Sequence, residues 1–172
     1  MRRQTIWRLA GVAAVLGGLI DLLGPLAYPH LTDPARLSTY VLIDLLLLFG
    51  MLGVQSVAGR LMGWPGLVGF VIAVGGVLLV RTSAAGIWGA ASYTVASAVW
   101  SIGMVVVGTT LLARKGPFRA ASALWIAAFV IGLAGLALKD QGLAHRLAGW
   151  CFALGFIAAG VILARTASRA EA

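Results

Sequence analysis

Two carboxylates, Asp21 and Asp44, are the only acids inside the apolar runs of this 172-residue chain. An ionisable group at the centre of a bilayer costs at least ~2.5 kcal/mol, so it is rare unless it faces a protein interior or serves a purpose. Asp21 shares its helical face with Ala10, Ala14, Gly17, Gly24 and Tyr28. Small-residue stripes face neighbouring helices, because they let backbones approach closely. Asp44 shares a face with Tyr40, Met51 and Gln55, the only markedly polar face of a Leu-rich stretch. Both acids therefore point into a bundle. Two neighbouring carboxylates in such a place can hold a proton, a cation, or the amine or hydroxyl of a ligand.

Depth brings the two acids together. With a first span ending near Tyr28, Asp21 lies ~10 Å below the boundary at the helical rise. A second span running back from Ser38 puts Asp44 ~9 Å in, on the same side. Tyr40, Ser97 and Ser101 are the expected hydrogen-bond partners, and Arg81 or Arg36 the charges that tune the pair. The plainer alternative is that each acid only bonds a hydroxyl on a neighbouring helix or pairs with one of those arginines. Ser and Thr in such helices also commonly satisfy their own backbone carbonyls.

The elements that must carry these residues follow from composition. The chain is 61% hydrophobic and 10% charged, against about 25% charged in soluble domains. It reads as one all-α domain, residues 1–172, built as a polytopic membrane bundle. Six spans are expected, at about 6–28, 38–58, 61–80, 88–113, 118–138 and 147–164, each near the ~17–25 residues that cross the hydrocarbon core. The third is the weakest, since its clean apolar part is short and Gly63-Trp64-Pro65-Gly66 reads as a turn. Pro25 should kink the first span just outside Asp21. Gly66, Gly69, Ala73 and Gly76 form a second close-packing stripe, and Ala121, Ala128, Gly132 and Gly135 a third.

The net charge of +8 does not indicate nucleic acid, because the basic residues sit at the ends of apolar runs. Arg2, Arg3, Arg8, Arg60, Arg114, Lys115, Arg119, Arg165 and Arg169 fall on one side of the expected topology. Arg36, Arg81, Lys139 and Arg146 fall on the other. The positive-inside rule then places both termini in the cytoplasm, with Asp21 and Asp44 toward the outer face. The first span follows a basic start like a signal peptide, but no small-x-small cleavage site precedes Tyr28, so it is expected to stay. The Ala-, Gly- and Arg-rich usage fits a bacterial inner membrane.

No phosphate loop, nucleophile elbow, zinc-protease or C-x-x-C pattern occurs, and no cofactor is expected. The single cysteine, Cys151, excludes an intrachain disulfide. The leading expectation is a binding or transport protein with an outward-facing polar pocket around Asp21 and Asp44. A structural subunit whose glycine stripes engage a partner membrane protein or a second copy is the alternative. An acid–base enzyme acting on a lipid or isoprenoid at the two carboxylates comes third.

Overall fold

A computed structural model describes residues 3–82, 88–139 and 142–170. Among them the regular structure is entirely helical. Five helices are long and apolar enough to cross a membrane. One of these, Asp33–Thr82, is 50 residues long and loses helical geometry at Gly63. There φ is 63° and ψ −157°, a region that essentially only glycine occupies. Pro65 follows, its fixed φ suited to a helix start. Asp44 and Arg81 form an ion pair, although a straight helix would hold them ~55 Å apart. The chain therefore folds back at Gly63.

Helix α1 is Arg3–Ala27, followed by a 3₁₀ turn at Tyr28–His30. The arms on either side of Gly63 are α2 (33–62) and α3 (64–82). Then come α4 (Ser92–Ala113), α5 (Arg119–Ala137) and α6 (Leu143–Arg169). The turn between α2 and α3 is tighter than the sequence suggests. Helix persists through residues 59–62, and Gly63 alone makes the reversal. The connection expected at 82–87 falls largely on residues 83–87, outside the described residues. Of the one expected at 139–146, residues 140–141 lie outside them, and 143–146 are already helical, so the last helix starts four residues before the expected span.

Close approaches at small residues fix the register of the helices. A Cβ on Gly17 would sit 2.9 Å from Leu46 and Leu47, one on Gly50 2.7 Å from Ala14, and one on Gly53 2.5 Å from Ala10. As α1 advances, its partners on α2 recede, so the pair is antiparallel. The same reading applies to α3 against α4 (Gly69 on Val106, Gly76 on Trp100). It applies equally to α6 against α1 (Gly18 on Ala153, Gly11 on Gly160). Helix α4 continues to α5 at Gly108 and Ser122, and α5 to α6 at Trp125 and Gly155. The result is an up-and-down ring in chain order, closed by α6 on α1. Gln4 donates to the Ala170 carbonyl at 2.6 Å and Trp7 to Ser56 at 3.0 Å. These two bonds tie the terminal helices and the C-terminal half of α2 into one end of the ring.

The glycine stripes are thus used inside the bundle. The opposite faces carry the large apolar residues, with Leu23, Leu45, Val71 and Leu133 all more than half exposed. The core is lined by Leu47, Met51, Met104, Trp125, Phe156 and Leu163. An apolar exterior, with small residues at the helix–helix contacts, suits a hydrocarbon solvent, where close packing replaces the hydrophobic effect between helices.

Candidate functional site

The α1–α2 register sets Asp21 opposite Ile43 and Asp44. Gly17 meets Leu47 and Ala14 meets Gly50, so one further turn outward reaches this pair. Asp21 and Asp44 do come to one level, and Asp21 lies within Coulomb range of Asp44. Their environments differ. Asp44 is buried and ion-paired with Arg81 from α3, whose side chain remains 32% exposed. Asp21 is partly buried, and no hydrogen bond or ion pair engages it among the described residues.

All three tyrosines of the chain gather around these charges. Tyr28 and Tyr93 each interact electrostatically with Asp21 and Asp44. Tyr40, one turn outward of Asp44, meets the Tyr28 ring edge-on with centroids 4.8 Å apart. Tyr28 reaches this position because its ring folds back one turn over Gly24, where any Cβ would collide with the ring and hydroxyl. The small residue beneath Tyr28 is therefore a requirement of the site. Tyr28 belongs to the Asp21 face that the spacing identifies, and Tyr93 to the polar outer half of α4. Tyr93 could not be singled out by spacing, because only the folded register brings four helices to one point.

The other expected members lie elsewhere. Arg36 bonds Asp33 at 2.6 Å on the surface, an i, i+3 pair at the start of α2 that is closer than Asp44 could be. Arg81 supplies the buried cation instead. Ser97 gives its hydroxyl to the Thr94 carbonyl at 3.1 Å, satisfying it locally. Among the described residues neither Ser97 nor Ser101 hydrogen-bonds an acid. The hydroxyls near the carboxylates are phenolic.

Helix α1 continues two residues past Pro25 before the 3₁₀ turn. Pro25 has no N–H to give to the carbonyl of Asp21, four residues back. One residue thus presents both a carboxylate and a carbonyl deprived of its usual helical donor. A cleft of about 260 Å³ opens between the C-terminal end of α1 and the start of α2, with Tyr28 but not Asp21 in its lining. Tyr28 lines this cleft and also interacts electrostatically with Asp21. No group of three or more His, Cys, Asp or Glu residues assembles among the described residues.

Compared with protein-family models, with curated proteins and with solved structures, the chain shows no match.

Proposed function

We propose that the chain is a six-span integral membrane protein that binds, and by virtue of its position conducts or carries, a proton or cation through an outward-facing site built on Asp21. The observation that carries this reading is the asymmetry between the two acids. Asp44 is paired with Arg81, whereas no ion pair or hydrogen bond engages Asp21 among the described residues and Tyr28 and Tyr93 interact with it electrostatically. A carboxylate held in an apolar bundle without a partner is a functional hypothesis by default. The glycine stripes engage the protein's own helices, which weighs toward this reading and away from a subunit whose stripes await a partner.

Six spans, both termini cytoplasmic and residence in a bacterial cytoplasmic membrane belong to the same proposal. The fold-back at Gly63 supports the six spans, and the loop charges support the orientation.

Infrared difference spectroscopy on the protein in nanodiscs tests the site. The expected result is an Asp21 carboxyl band that changes on adding protons or Na⁺, disappears in Asp21→Asn and survives in Asp33→Asn. A band indifferent to both additions would remove the proposal.

A further inference from the structure

We propose that the Asp21 site is specific for a lipophilic organic cation, an amine or quaternary ammonium carrying a compact apolar group. This rests on the reading of Asp21 as a binding site and names its ligand class.

Three features converge on that class. The first is charge. Asp44 has Arg81 as its counter-ion, no ion pair engages Asp21 among the described residues, and Pro25 withholds the usual helical donor from the Asp21 carbonyl. The second is the aromatic surround. Tyr28 and Tyr40 meet edge-on, and Tyr93, though more than half exposed, interacts electrostatically with both acids as Tyr28 does. Ring faces attract cations, most strongly when desolvated. A small hydrated ion would have to exchange its water for these weakly coordinating faces. An alkylammonium, already weakly hydrated, gains from them. The third is the cleft. Its walls are Leu19, Ile20, Leu23 and Ala27 of α1, with Leu31 and Tyr28 at the outer end. Its one hydroxyl besides that of Tyr28, on Thr39, is already given to the Ala35 carbonyl at 2.9 Å. The cleft therefore offers shape and apolar contact and almost no polar recognition. Leu19 and Leu23 are exposed on the lipid-facing side of α1, so an amphiphile can enter from the bilayer.

Tyr28 joins the two halves. It lines the cleft, meets Tyr40 edge-on and interacts electrostatically with Asp21. An apolar group in the cleft with its cation turned toward Asp21 passes across this ring.

Isothermal titration of the full chain in zwitterionic nanodiscs tests the class with two probes of nearly equal shape, benzyltrimethylammonium and its neutral carbon isostere neopentylbenzene. The cation is expected to bind wild type about tenfold or more tighter than the isostere, and to weaken by a similar factor in Asp21→Asn and Tyr28→Leu while Asp33→Asn stays unchanged. Equal binding of the two probes to wild type overturns the proposal without relying on any variant. So does undiminished cation binding in a folded Asp21→Asn protein. If neither probe binds while the Asp21 carboxyl still responds to protons or Na⁺, the ligand class falls and the site reading stands. If that carboxyl is inert as well, both fall.

Discussion

Asp44 and Arg81 show how a residue pair sets the character of the site. Removing one partner of a buried ion pair leaves an uncompensated charge and typically costs about 3–5 kcal/mol. The two partners are not equivalent here. Arg81 is near the outer end of its helix and partly exposed, so without Asp44 its long side chain can reach the interface. Asp44 is short and buried, with no such escape. Arg81→Leu should therefore destabilise by about 3 kcal/mol and Asp44→Asn by about 1 kcal/mol. The double variant should recover most of the Arg81→Leu loss. Thermal unfolding of the four proteins in one detergent gives this cycle, and additive losses would show that the pair is not coupled. Near these two, the position of Asp21 is legible from its apolar surroundings and small-residue stripe. That no ion pair engages it among the described residues is not legible, because that depends on Arg36 choosing Asp33 and Arg81 choosing Asp44.

At the scale of an element, two adjacent glycines of α3 make opposite predictions. A Cβ on Gly76 would run into the backbone of Trp100, so Gly76→Ala must push α3 from α4, at about 1–3 kcal/mol. A Cβ on Gly75 meets nothing within 4 Å, so Gly75→Ala should be neutral or stabilising by up to about 1 kcal/mol through helix propensity. Denaturation midpoints of the two variants separate packing from propensity. Equal losses would mean that helix contact does not govern α3. Gly63 is a third case, where the constraint is conformational. A Cβ there would approach nothing closer than Pro65 at 4.0 Å. Its backbone nevertheless lies outside the range of a side-chain-bearing residue, so Gly63→Ala should cost about 1–3 kcal/mol through strain alone. The glycine spacing at 66, 69 and 76 announces a packed face in the sequence. Which helix it meets is set by the ring.

At the scale of the whole molecule, the fold-back makes the inner turn and the termini neighbours. In a Cys151→Ser background, single cysteines at Trp64 and Ala170 should react with an impermeant thiol reagent only from the cytoplasmic side. Cysteines at Thr32 and Lys139 should react only from outside. Labelling of Trp64 from the side opposite Ala170 would leave five spans and displace the outward placement of Asp21. This arrangement also explains the apolar surface. A ring of six helices in contact through small residues leaves many large apolar side chains on its outside, which suits a lipid solvent.

Composition and apolar run length alone determined that the chain is a helical bundle able to cross a membrane, because backbone groups in hydrocarbon must be satisfied within each segment. Run length also located the two acids at matching depths, since helical rise is constant. Tertiary structure decided what those acids can do. It folded α3 back on α2 so that Arg81 closes on Asp44, turned Tyr28 over Gly24, and brought Tyr93 across from α4. Those outcomes depend on helix register, which is set by steric fit between small residues far apart in the chain and leaves no periodic mark on any one segment.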